Sequence, residues 1–260
     1  MSLDLTALTG PFLEIMRNAA AIVAEHDARP RTVTRKGRID LLTETDPAVE
    51  AALKEDLAAI LPGSTFLAEE TASRAALGER TWIIDPLDGT TNFAHGLPIH
   101  AVSVALWEEG RVALGAVAVP VLGELFHAVR GGGAFLNGAP ISVTDTADIE
   151  KSLVATGFPY AIREEMRPIM ANLERVLAAS QGVRRMGAAA VDLAYVACGR
   201  FDAFYESCLN PWDVAAGWLL VEEAGGRVTG YAGQPYRLGD KYILASNGRV
   251  HGKASGLLEE

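Results

Sequence analysis

Apolar side chains recur every three or four positions through Leu5, Leu8, Phe12, Ile15, Met16, Ala19, Ile22 and Val23, which predicts an amphipathic first helix. The stretch from Arg29 to Arg38 breaks this rhythm. It carries Arg29, Arg31, Arg35, Lys36 and Arg38 with Pro30 and Gly37, and reads as a mobile basic loop. A second helix is expected after Asp46, with Pro47 at its first position, Val49, Leu53, Leu57 and Ile60 on its inner face, and Pro62-Gly63 as its stop. Phe66-Leu67-Ala68 and the run from Trp82 to Ile84 read as short buried strands that lead into acidic residues.

From Ala101 to Val143 the period falls to that of strands. Ala101–Trp107 and Arg111–Val119 flank Glu108-Glu109-Gly110, a hairpin signal. Glu124–Val129 and Ile141–Val143 continue the run, separated by turns at Gly131-Gly132-Gly133 and Asn137-Gly138. An antiparallel meander covered by two helices is the expected result. Beyond about residue 146 strands and helices alternate: Leu153–Thr156, Glu164–Ala179, Val183–Arg185, Ala188–Cys198, Phe201–Tyr205, Pro211–Ala224, then Val228, Tyr242–Ala245 and a short last helix. Residues 1–145 therefore read as an α+β part and 146–260 as an α/β part. No repeat or low-complexity linker separates them, so a shared interface with a ligand cleft is expected.

Composition narrows the function. A chain of 260 residues with 49% hydrophobic and 22% charged residues can bury a substantial core. A net charge of −10 argues against general binding of nucleic acid or anionic membranes. Cys198 and Cys208 lack CxxC spacing and read as reduced thiols. No signal peptide and no bilayer-length apolar run are evident, so a cytoplasmic protein is expected.

The chemistry concentrates in Trp82-Ile83-Ile84-Asp85-Pro86-Leu87-Asp88-Gly89-Thr90-Thr91-Asn92-Phe93. Pro86 pushes Asp85 towards extended backbone and keeps the pair off regular helix. A tight turn at the strand end would aim both carboxylates and the Leu87 carbonyl at one point, a hard-oxygen set suited to Mg²⁺. Amides of Gly89, Thr90 and Thr91 would face an anion such as phosphate. Glu69-Glu70 is either a solvated acidic turn or part of the same cation site. Asp213, in Asn210-Pro211-Trp212-Asp213, either complements a helix dipole behind an Asn210 cap or completes a cation cage. Asp46 is either an N-cap or a carboxylate that receives a proton from Thr90 or water. Gly187-Ala188-Ala189 opens a helix with free amides, or simply permits close packing. Glu206 is a hydrogen-bond acceptor for a substrate hydroxyl, or a rim charge. The five histidines show no metal-ligand spacing, no serine sits in a nucleophile elbow, and the triple glycine lacks a P-loop ending.

These motifs resemble the inositol monophosphatase family of Mg²⁺-dependent, lithium-sensitive sugar-phosphate phosphatases. Ala68-Glu69-Glu70-Thr71, WIIDPLDGTTNF (82–93) and NPWDVAAGWLLVEEAGG (210–226) carry the resemblance, supported by Leu42-Thr43-Glu44-Thr45-Asp46 and RRMGAAAVDLAYVACG (184–199). It spans the chain from Lys36 to about Gly248. The resemblance implies a layered α-β-α-β-α sandwich and a homodimer. It implies two or three Mg²⁺ ions held by Glu69, Asp85, the Leu87 carbonyl, Asp88 and Asp213. Gly89 and Thr90 would bind phosphate, while Gly187, Ala188, Ala189, Glu206 and Asp213 would meet the alcohol. Asp46 and Thr90, with Glu69, would activate water. Two departures fall at Ala68, often glycine in the family, and Ala188, often serine or threonine.

The expected reaction is hydrolysis of a small polyol or sugar phosphate, inositol monophosphate first, by direct attack of water. Histidinol phosphate, fructose bisphosphate and nucleotide bisphosphates are the alternatives within the family. Phe158-Pro159-Tyr160, Arg184-Arg185 and Glu206 are expected to discriminate among them, and a second phosphate would need Arg184-Arg185. A reading of another class is a regulatory protein- or RNA-binding role through Arg29–Arg38.

Overall fold

The computed structural model describes residues 3–29, 33–35, 41–71, 77–159 and 162–260. Pro30, Arg31, Lys36, Gly37, Arg38 and Tyr160, named above, lie outside them. The elements in chain order are α1 (Leu5–Asp27), β1 (Val33–Arg35), β2 (Leu41–Thr43), α2 (Thr45–Ile60), β3 (Thr65–Ala68), β4 (Arg80–Asp88) and α3 (Thr90–Ala94). There follow β5 (Ala101–Glu108), β6 (Arg111–Val119), β7 (Glu124–Val129), β8 (Gly133–Leu136), β9 (Ala139–Pro140) and β10 (Leu153–Thr156). The chain ends with α4 (Ile162–Ala179), β11 (Gly182–Arg184), α5 (Ala189–Ala197), β12 (Ala203–Ser207), α6 (Pro211–Glu223), β13 (Arg227–Thr229), β14 (Tyr242–Ser246) and α7 (His251–Ser255). None of the described helices is long and apolar enough to cross a membrane.

Among the described residues two large sheets form. One is seven-stranded in the order β3-β4-β5-β6-β7-β8-β9, the other five-stranded in the order β11-β10-β12-β14-β13. The first is antiparallel except for the parallel β3–β4 pair. The second is mixed, with β11, β10 and β12 parallel and β14 antiparallel to β12 and β13.

Alternation along β4 explains the layers. Trp82 and Ile84 pack with Phe12, Met16, Leu53 and Leu57 of α1 and α2. Ile83 faces the other way, onto a core built from α5, α6 and both sheets. The outer face of the second sheet is covered by Val176 of α4 and Ala254 of α7. The result is the expected α-β-α-β-α order. Helices α5 and α6 lie between two sheets and are apolar almost all round, as a doubly covered layer requires. Their close approach needs small residues. A Cβ on Gly217 would lie 2.5 Å from Leu193 Cβ, and one on Gly115 3.0 Å from Ala216 Cα.

Four expectations are corrected. Helix α2 starts at Thr45 with Glu44 at the N-cap, so Pro47 is its third residue and Asp46 lies inside the first turn. The Thr43 hydroxyl, accepting from the Thr45 amide at 3.2 Å, does the capping expected of Asp46. Ile141–Val143 is irregular, and the strands fall instead at β8 and β9, where Asn137 (φ 49°) and Gly138 (φ 82°) turn the hairpin. Within the basic segment Val33–Arg35 is a strand paired with β2, so that part is not loop. Finally, β4 does not stop before the aspartates but runs through them to Asp88.

Candidate active site

The path of β4 decides the geometry. Asp85 pairs with Ser103 and Asp88 with Ala101, so three steps on β4 oppose two on β5 and one residue bulges out. On a regular strand residues three apart point to opposite faces. The extra residue cancels that. Leu87 turns into the α1/α2 core, and Asp85 and Asp88 both face the α5/α6 side. The bulge also accommodates Pro86, which has no amide to give the ladder. Leu87 N donates to Asp85 Oδ1 at 3.0 Å, holding the turn.

Asp88 is also held by the start of α5. Its Oδ2 accepts from the Ala190 amide at the start of α5 at 2.7 Å. Gly89 makes the junction possible: its φ is 83°, and a Cβ there would lie 3.0 Å from the Ile99 carbonyl and 3.1 Å from Ala188 Cβ. Asn92 closes the seam by donating to the carbonyls of Ile99 at 2.7 Å and Met186 at 2.8 Å.

Two acids one turn apart on α2 anchor the other walls. Asp46 is fully buried and accepts through Oδ2 from the amide (2.8 Å) and hydroxyl of Thr43. Its Oδ1 lies 3.3 Å from Thr90 Oγ1, which is also 2.9 Å from the Leu87 carbonyl. Glu50, four residues on, accepts from the Glu70 amide at 2.8 Å, Thr71 Oγ1 at 2.7 Å and Lys54 Nζ at 2.8 Å. It thereby fixes the turn that presents Glu69, whose own amide donates to the Ile84 carbonyl at 3.1 Å. Glu50→Ala would remove a buried charged acceptor shared by three partly exposed donors, and is expected to destabilise the fold by about 1–3 kcal/mol. A urea midpoint unchanged from wild type would contradict this.

Asp213 takes the first-turn position expected of it and also faces the cavity. Its Oδ2 accepts from the Asn210 amide at 2.7 Å. Glu206, on β12, projects into space that exists because residue 157 is glycine; a Cβ there would fall 2.0 Å from Glu206 Oε2.

All these groups meet around one cavity of about 260 Å³, lined by Glu69, Asp85, Leu87, Asp88, Gly89, Thr90, Gly187, Ala188, Ala189, Glu206 and Asp213. Of the candidate site residues, only Asp46 stands behind the wall, reaching the cavity through Thr90. Burial, followed by the charges of Glu69, Asp88 and Asp213, pushes Asp85 well above the usual carboxylate range. Asp213 is raised well above that range by burial and then Asp88. Asp88 rises to about 7, chiefly by burial, with the α5 amides opposing. Burial, then Asp213, lifts Glu206 to about 8. Six acids line the cavity, Asp192 being the sixth beside Glu69, Asp85, Asp88, Glu206 and Asp213; among the described residues no three His, Cys, Asp or Glu side chains are gathered so as to hold a metal ion as they stand. A larger cavity, about 490 Å³, lies between α1 and the β6–β7 end of the sheet. Its polar lining is Arg17, Glu124, His127 and Asn137, so it carries no comparable set of acids.

The family profile of the inositol monophosphatases matches residues 4–260. The chain belongs to the inositol monophosphatase family. It is 42% identical over 244 residues to the chloroplastic phosphatase IMPL1 of Arabidopsis thaliana, covering 91% of this chain and 66% of that longer protein. It is 42% identical over 228 residues to the inositol-1-monophosphatase of Synechocystis, covering 87% and 79%. The crystal structure of the extragenic suppressor protein suhB from Bartonella henselae superposes with a TM-score of 0.91 at 36% identity, covering 98% of this chain and 99% of that one. As a member of this family the chain is a phosphoric monoester hydrolase.

Sequence reasoning missed three residues of the site. Glu50 is one helical turn from Asp46 on the same face of α2. Asn92 is the only side chain of α3 that reaches Met186 among the described hydrogen bonds. Asp192 also lines the cavity, and its signal was an acid inside the otherwise apolar AAVDLAYVA helix.

Proposed function

We propose that this hydrolase is a Mg²⁺-dependent phosphatase of small polyol or sugar phosphates, with inositol monophosphate as first candidate, acting by direct attack of water. The observation that carries the reading is the meeting of Glu69, Asp85, Asp88 and Asp213 around one cavity, where burial and mutual repulsion leave them short of positive charge. The donors fit the ion. Carboxylates and the Leu87 carbonyl are hard oxygen ligands, and Mg²⁺ keeps part of its water shell, so it does not require a closed protein cage. The family resemblance puts the number at two or three ions. Bound there, they would offset phosphoryl charge and lower the pKa of water.

The remaining work falls to the chain. Thr90 Oγ1 can donate to Asp46 and accept from a water, which orients that water for in-line attack. Glu69 would hold the same water from the opposite wall. Amides of Gly89 and Thr90 would position phosphoryl oxygens, the preorganised dipoles that such a reaction needs. Gly187, Ala188, Ala189, Glu206 and Asp213 would hold the alcohol. A homodimer and a cytoplasmic location belong to the same reading.

Electrostatics favours a substrate with one phosphate over a bisphosphate. Arg184 is exposed, donates to the Val183 carbonyl at 3.1 Å and does not line the cavity, which leaves Arg185 facing Asp192 and Glu206. Most of the Arg29–Arg38 stretch, the basis of the alternative protein- or RNA-binding role, lies outside the described residues. Initial rates on inositol 1-phosphate, histidinol phosphate, fructose 1,6-bisphosphate and a nucleotide bisphosphate, with and without Li⁺, test the assignment. Inositol 1-phosphate is expected to have the highest kcat/KM and to be inhibited by Li⁺. Preference for either bisphosphate would overturn the substrate class.

A further inference from the structure

We infer that Asp192 is a specificity-determining residue that accepts a hydrogen bond from a hydroxyl of the substrate's alcohol group. The inference rests on the phosphatase reading above and adds a residue to it. Asp192 is 1% exposed, sits in the first turn of α5 and lines the cavity. Its Oδ1 is buried and accepts no hydrogen bond, and among the described residues it is the only side chain with such an orphaned atom that lines this cavity. A buried carboxylate oxygen left unsatisfied is costly, and beside a substrate cavity a donor on the bound substrate would relieve that cost.

The neighbours say which donor. Glu206 and Asp88 repel the Asp192 charge, while Arg185 attracts it. The Arg185 guanidinium lies 5.7 Å from the centre of the Phe158 ring, which also borders the cavity. Its charge acts on both Asp192 and Glu206. Two buried acids share the one guanidinium that lines the cavity, so this wall offers a second phosphate no cation of its own. Neutral hydroxyls, which donate without bringing charge, fit both carboxylates. A polyhydroxy alcohol offers several such donors beside the ester; an aryl ester offers none.

The bland alternative is that Asp192 only complements the positive end of the α5 dipole. That role would affect all substrates alike, so the test is a ratio. KM and kcat would be measured for inositol 1-phosphate and for p-nitrophenyl phosphate with wild type, Asp192→Ala and Asp192→Asn. Asp192→Ala is expected to raise KM for the polyol ester about 10- to 100-fold, the range for a hydrogen bond to a charged acceptor, and to leave the aryl ester within twofold. Asp192→Asn, which keeps one acceptor oxygen, should fall between. Melting temperatures of both variants should equal or exceed wild type, since an unsatisfied buried charge is removed. An unchanged ratio of the two KM values, or equal losses on both esters, would overturn the assignment of Asp192 alone. Wild-type protein inactive on both esters would instead remove the phosphatase reading, and this inference with it.

Discussion

Asp88→Asn is expected to lower kcat by about a thousandfold or more, a barrier change of roughly 4 kcal/mol, without unfolding the protein. The two halves of that expectation come from the two oxygens of one side chain. Oδ2 accepts from the Ala190 amide across the junction, and an asparagine carbonyl keeps that bond. The other oxygen shares the cavity with the charges of Glu69, Asp85 and Asp213, and there the substitution removes the negative charge that a cation needs. In metal-free protein the same loss relieves repulsion among buried acids, so the melting temperature should be equal to or above wild type. Turnover close to wild type at saturating Mg²⁺ would refute the role given to Asp88. A collapsed melting temperature would mean that the charge is structural.

The second large effect is on metal supply. Chelation by EDTA followed by gel filtration should abolish hydrolysis, and Mg²⁺ should restore it, with Ca²⁺ a poor substitute because it does not keep octahedral order. A readout independent of turnover is stability. An ion that binds only the folded state adds about 2.7 kcal/mol at a hundredfold excess over its Kd. For a chain of this size that is a rise in melting temperature of roughly 5–10 °C. The rise should be lost in a variant with Asp85 and Asp213 both changed to Asn. Full activity after chelation, or a melting temperature indifferent to Mg²⁺, would contradict metal dependence.

The substrate preference rests on weaker forces than the catalytic centre. Four acids and a carbonyl act through charge, which tolerates small shifts. On the proposed reading the alcohol wall of Asp192, Glu206 and Arg185 would act through single hydrogen bonds, where one methylene of displacement changes the partner. Related enzymes on this fold are therefore expected to differ first at that wall. Ala188 belongs to this category: it removes a hydroxyl from the rim without touching the four acids.

Much of the site was legible in the chain because its signals are local. Prolines, glycines and acids in WIIDPLDGTTNF and NPWDVAAGWLLVEEAGG announce turns, an N-cap and hard-oxygen donors without knowledge of the partner segments. The order of layers came from the family resemblance; its physical reason is that a strand apolar on both faces and a helix apolar all round each need cover on two sides. The start of α2 was misplaced because Asp46 turns its carboxylate to Thr43 and Thr90 instead of capping, while the Thr43 hydroxyl takes the Thr45 amide. Strands β8 and β9 were displaced because Gly133–Leu136 and Ala139–Pro140 are too short for a period to show.

What the chain alone determined was the family, with it the class of phosphoric monoester hydrolases, and the order of the motifs that carry the candidate acids. What only the tertiary structure decided was convergence. Whether Asp85 and Asp88 share a face depends on one bulged residue against β5, and register is a property of two strands, not one. That Asp88 meets α5, that Glu50 pins the Glu69 turn, and that Asp192 faces Glu206 are contacts between segments 20 to more than 100 residues apart or separate elements of the fold. Such contacts arise from packing, which no local pattern encodes.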